Sequence, residues 1–140
     1  MIKNNHDVEN NMVALIQPLA RCMLALIFII AGLSKMLDLA GTSAYMSVMG
    51  VSSALLWPSI LLEIIGGILL VLGYKTTLVA SVLAIFSIVT AVFFHSDFAN
   101  QIQMILFLKN ISIAGGLLLL ATARTTSYSL DRKHEKQNFF

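Results

Sequence analysis

Three ionisable side chains stand where ionisable groups are costly. Glu63 lies in the middle of an apolar run from Leu55 to Leu72 and is the only acid inside any hydrophobic segment of the chain. Arg21 and Lys109 lie inside two other hydrophobic segments. A charge at bilayer depth costs roughly 2.5–3.5 kcal/mol on insertion scales. Such groups turn toward partners or water. An acid near bases can hold a polar ligand, exchange a proton or pin helices together. The residues predict an intramembrane polar cluster of Glu63, Arg21 and Lys109, a candidate ligand or proton site, with Lys35, Asn110 and His95 as secondary candidates.

The elements that position these residues follow from composition. Of 140 residues, 58% are hydrophobic and 11% charged, and the mean hydropathy is +0.86. A soluble domain carries about 25% charged residues. Four continuous apolar segments run over residues 13–37, 55–72, 77–94 and 104–123. Each fits the roughly 17–25 residues of a membrane-crossing helix. Barrel strands alternate over about ten residues, so these runs predict helices. The expectation is an all-α integral membrane four-helix bundle with short loops, embedded in the lipid bilayer. Residues 1–12 form a flexible N-terminal tail in this reading, residues 13–123 the membrane domain, and residues 124–140 a basic cytoplasmic tail. The link from Asp38 to Ala54 is half apolar and predicts a short interfacial helix, capped by Thr42 or Ser43 and stopped at Gly50.

Loop charges predict orientation. Lys3, Lys75, Arg124, Arg132, Lys133 and Lys136 fall on one side and only Lys35 on the other, which places both termini in the cytoplasm. The first segment is longer than a signal-peptide core, follows Asp7 and Glu9, and lacks a small-residue cleavage site, so it reads as a retained helix. The net charge of +2 comes mostly from the ends, so no nucleic-acid surface is implied.

Residues three and four apart share a helix face. Arg21, Ala25, Phe28, Gly32 and Lys35 fall on one stripe, and Glu63 shares a face with Gly66, Gly67 and Leu70. Ala80, Ala84, Ser87, Ala91 and His95 form a third stripe, and Lys109 aligns with Ser112 and Gly116. Membrane helices pack through small residues, so each charge is expected to point into the bundle. At about 1.5 Å per residue, Arg21 is expected roughly 6 Å to one side of Glu63 and Lys109 roughly 7 Å to the other. The cluster then either lines a pocket or fixes helix register. Lys35 and Asp38 read as a snorkelling pair at the helix end. Cys22 is the only cysteine and reads as a small hydrophobe. No metal site is expected. No Walker, GxGxxG, HExxH or GxSxG motif is present, and whether the chain catalyses a reaction stays open.

At these residues the chain resembles the DoxX family of small four-helix bacterial inner-membrane proteins. The resemblance rests on Arg21 with Ala31-Gly32-Leu33-Ser34-Lys35, on Tyr45 to Gly50-Val51, and on Glu63-Ile64-Ile65-Gly66-Gly67 leading to Leu72-Gly73-Tyr74-Lys75-Thr76. It continues at Phe107-Leu108-Lys109-Asn110 and Gly115-Gly116-Leu117, covering about residues 19–120. It implies a multi-pass protein of the bacterial inner membrane with an oxidoreductase association. Electrons would pass through a quinone or a redox partner protein, since the chain has no dithiol and no covalently bound cofactor is expected. In that reading Lys109, Arg21 or His95 hydrogen-bonds a quinone oxygen and Glu63 gives or takes a proton. The alternatives are a small proton-coupled transporter, or a structural or assembly protein. Its small-residue faces also admit a homo-oligomer.

Overall fold

The computed structural model describes residues 5–123 and 128–131, with side chains at position 12 and from 14 onward. Five α-helices account for most of them: α1 Asn5–Leu37, α2 Leu39–Val48, α3 Leu56–Leu72, α4 Thr76–Phe94 and α5 Gln101–Thr122, with a 3-10 turn at Ser53–Leu55 before α3. No strand occurs among the described residues. Four helices are long and apolar enough to cross a membrane, over Ala14–Leu37, Ser53–Leu72, Thr76–Phe94 and Gln101–Thr122. The all-α four-span bundle expected from the sequence is therefore the fold. With four crossings, the start of α1 and the end of α5 lie at one end of the bundle, called here the terminal end. The short α2 lies at the other.

Boundaries shift where a cap was misread. The Asp38 carboxylate, rather than Thr42 or Ser43, caps α2 by accepting from the Gly41 N–H at 2.9 Å. Gly50, with φ +72°, ends that segment as expected. The Asn100 side chain accepts from the Ile102 and Gln103 N–H groups, so α5 starts at Gln101 and not at Met104. The first helix continues back to Asn5, so residues 5–12 extend α1 and are not a separate tail. Propagating an existing helix is inexpensive. Residues 1–4, and 124–127 and 132–140 of the expected C-terminal tail, lie outside the described residues.

Packing builds two helix pairs. α1 lies along α3 and α4 along α5; the pairs meet mainly through α3 and α4. Reciprocal glycines bring α1 and α3 together. A Cβ on Gly32 would stand 2.6 Å from Ile64 Cγ1, and one on Gly67 would stand 2.6 Å from Ile29 Cγ1 and 3.2 Å from the Ala25 carbonyl oxygen. These contacts fix an antiparallel register in which 32 meets 64 and 29 meets 67. Ala25, Phe28, Leu70, Leu83, Ala84 and Leu117 form the main core, and a second cluster of Met46, Leu56 and Ile60 lies under α2.

The expected stripes on α1, α3 and α4 are buried except at their ends, where Lys35 and His95 are half-buried. The α5 stripe is not. Ala114, Leu117 and Leu120 face inward, Lys109 and Ser112 are exposed and Gly116 is half-buried. In lipid both faces of a helix are apolar, so a polar stripe does not mark the packed side as it does on the other three helices.

Candidate functional site

The α1–α3 register decides which charges meet. One turn beyond the 32–64 contact, Lys35 comes opposite Glu63. Its Nζ donates to both carboxylate oxygens, each at 2.7 Å. Glu63 is 4% exposed. The Lys35 side chain is 28% exposed, so the ammonium reaches inward along the helix instead of snorkelling outward beside Asp38. Asp38 is occupied with the α2 cap.

The same register carries Arg21 away. Ten residues along α3 from Glu63, a span of about 15 Å, Gly73 adopts φ +64° and ends the helix. A Cβ there would collide with the Arg21 guanidinium. Arg21 is 1% exposed, and its Nη2 donates to the Tyr128 carbonyl at 2.9 Å. The expected cluster of Glu63 with Arg21 and Lys109 is thus corrected: Arg21 belongs to the terminal end. Segment centres misplaced it because α1 runs past the end of α3, which the sequence gives no means of seeing.

Arg21 helps hold residues 128–131 across that end. Asp131 donates its N–H to the Gly73 carbonyl at 3.0 Å. Its carboxylate accepts from the N–H of Lys75 at 2.6 Å and of Thr76 at 2.8 Å. The start of α4 has no cap of its own, since Lys75 has φ +47° and makes no side-chain capping bond. Asp131 supplies that cap from 55 residues away. Partial burial raises the Asp131 carboxyl, but hydrogen bonds from Thr76 and Lys75 and the Arg21 charge outweigh it. The net effect holds the group below the ordinary aspartate range. Sequence reasoning missed Asp131, and no local pattern marks a residue that caps a helix so far away.

At the α2 end the two helix pairs part around a cavity of 530 Å³. Five of the six candidates line it: Lys35, Glu63, His95, Lys109 and Asn110. Tyr45 of α2 and Phe93 and Phe94 of α4 form part of its wall. Tyr45 and Phe94 stack with centroids 5.6 Å apart at 25°. His95 Nδ1 lies 2.7 Å from Gln103 Oε1. A carbonyl oxygen only accepts, so Nδ1 carries the proton, and in the neutral ring Nε2 keeps a lone pair. Asn110 Nδ2 donates to the Leu106 carbonyl at 3.2 Å. Lys109 has no hydrogen bond or ion pair among the described residues. The volume is that of a small-molecule site, with apolar walls and a few convergent polar groups.

Fold and site together define a small membrane bundle with one polar-floored cavity between helix pairs. The DoxX family profile matches residues 16–96. Inner membrane protein YqjF of Escherichia coli K12 is 42% identical over 118 residues, covering 84% of this chain and 91% of that protein. Inner membrane protein YphA of the same organism is 38% identical over 122 residues, covering 82% and 87%. The chain belongs to the DoxX family. No solved structure matches it.

Proposed function

We propose that this protein is an inner-membrane subunit that binds a quinone-type molecule in the α2-end cavity and serves a redox-linked membrane system. The observation that carries the reading is the 530 Å³ cavity with Glu63, Lys35, His95 and Lys109 on its lining. Its aromatic wall suits a planar ring. Lys109 and His95 are the groups placed to hydrogen-bond a ring oxygen, and Arg21 is not among them. The Lys35–Glu63 pair is the group that exchanges a proton with such an oxygen. With a single cysteine, Cys22, the chain has no dithiol, and electrons come from a partner protein.

The names of the E. coli relatives support the inner membrane. The loop charges support N-in and C-in, which turns the cavity mouth away from the cytoplasm. Reporter fusions at the C-terminus test this: a cytoplasmic reporter is active and a periplasmic one silent. Solvent extraction of the purified protein tests the cavity. A stoichiometric quinone is expected from the native chain and a depleted one from Glu63→Gln. Absence of quinone from the native protein, with unchanged quinone reduction in Glu63→Gln membranes, overturns the reading.

A proton-coupled transporter needs an acid free to titrate. Lys35 on both oxygens of Glu63 weighs against it. A purely architectural role suits Arg21, whose contacts lie at the terminal end, and leaves the cavity unexplained.

A further inference from the structure

The charges around the cavity do not balance. Lys35 and Glu63 neutralise each other, with the ammonium 2.7 Å from both oxygens. The remaining titratable side chains on the lining are Tyr45, His95 and Lys109. Lys109 is the one formal charge left without a counterpart. It lies eight residues into α5, about 12 Å along the helix from its start. Asn110, its neighbour on the lining, offers no charge and donates to its own helix. Lys109 is exposed on a membrane-spanning helix and lines the cavity, and an unpaired ammonium within a span favours an anionic partner. The lining also carries Tyr45, Phe86, Phe93 and Phe94, of which Tyr45 and Phe94 are stacked. Aromatic rings and a lone cation on one lining match a flat ring that carries one negative oxygen.

We propose that the cavity selects ring ligands bearing an ionised oxygen, a phenolate or the enolate of a hydroxyquinone, and that Lys109 is the residue that reads this charge. This rests on the reading of the cavity as a quinone-type site and names the ionisation state it prefers. Lys109 binds the oxygen, the aromatic residues hold the ring, and the Lys35–Glu63 pair lines the same cavity.

The test uses the full-length protein in nanodiscs at neutral pH and isothermal titration with three probes. These are 2-hydroxy-1,4-naphthoquinone, which is ionised at that pH, its neutral 2-methoxy analogue, and decanoate, an anion without a ring. The native protein is expected to bind the hydroxy compound about tenfold or more tightly than the methoxy one, as a charge-assisted hydrogen bond requires. Decanoate is expected to bind more weakly than the hydroxy compound. In Lys109→Gln the preference is lost and the two naphthoquinones bind alike, with an unchanged circular dichroism spectrum reporting an intact bundle. Lys109→Arg keeps the preference. Equal binding of the two naphthoquinones by the native protein overturns the proposal and leaves the cavity reading standing. Binding of neither naphthoquinone overturns both. Decanoate binding as tightly as the hydroxy compound overturns the requirement for a ring, and a preference retained in Lys109→Gln removes Lys109 from the role.

Discussion

Replacing Lys35 by methionine keeps an unbranched side chain of similar length and removes the one ion-pair partner that Glu63, 4% exposed, has among the described residues. Breaking a buried pair on one side costs about 3–5 kcal/mol, because an uncompensated charge stays behind. Lys35 keeps 28% of its side-chain surface exposed, so water already screens part of the attraction. The expected loss is therefore at the low end, about 3 kcal/mol, which is roughly 150-fold in the unfolding constant at 1.4 kcal/mol per decade. Replacing both partners, Lys35→Met with Glu63→Leu, removes the stranded charge and should recover most of that loss. Reversible unfolding in mixed micelles of rising SDS fraction, run on the native chain, both single variants and the double variant, gives the coupling energy directly. Additive single effects, or a Lys35→Met variant within about 0.5 kcal/mol of native, would refute the claim that this pair locks α1 against α3.

The same unfolding assay separates the glycines. Gly67→Ala places a methyl 3.2 Å from the Ala25 carbonyl oxygen and against Ile29, and should cost about 1–3 kcal/mol, whereas Gly115→Ala meets nothing within 4 Å and should be neutral. Asp131 is held below the ordinary aspartate value, so its contribution is complete above that value and is lost as pH falls through the lowered one. Asp131→Asn should flatten that acid limb of a stability–pH profile and leave the neutral region with a weaker α4 cap. Arg21→Gln should raise protease cleavage near residues 128–131 without changing ligand affinity, since Arg21 lies about 15 Å from Glu63 along the bundle; a loss of binding with an unchanged digest would contradict the separation of the two sites.

Much of the fold was legible because lipid imposes simple rules. Each span must be a continuous apolar helix, and the packed faces of α1, α3 and α4 carry small residues at helical spacing. Glu63 was legible for the same reason, since an acid at that depth requires a partner. The partner's identity was not. Face and depth along the helices point to Arg21 and Lys109 as its partners and set Lys35 beside Asp38, whereas the choice depends on a register set by Gly32 against Ile64 and Gly67 against Ile29. Those contacts are steric fits between two helices, and neither helix alone contains them. The face of α5 was misread because Lys109, Ser112 and Gly116 share a stripe that turned out not to be the packed one. The Asp131 cap lies beyond any local pattern, being a tertiary contact across 55 residues.

Dividing the charges between two ends has a mechanical consequence. At the terminal end, residues 128–131 bridge the helix pairs: Tyr128 takes a hydrogen bond from Arg21 of α1, and Asp131 caps α4. That bridge holds together two pairs whose direct contact is otherwise mostly α3 against α4. At the α2 end no such bridge of charges spans the pairs among the described residues. Lys35 and Glu63 join α1 to α3 within one pair, and Lys109 of the other pair lines the same cavity without a partner among the described residues. A ligand that engages Lys109 while resting beside the Lys35–Glu63 pair would supply the missing bridge. Binding should then stiffen the α2 end far more than the terminal end, which amide hydrogen exchange resolves helix by helix.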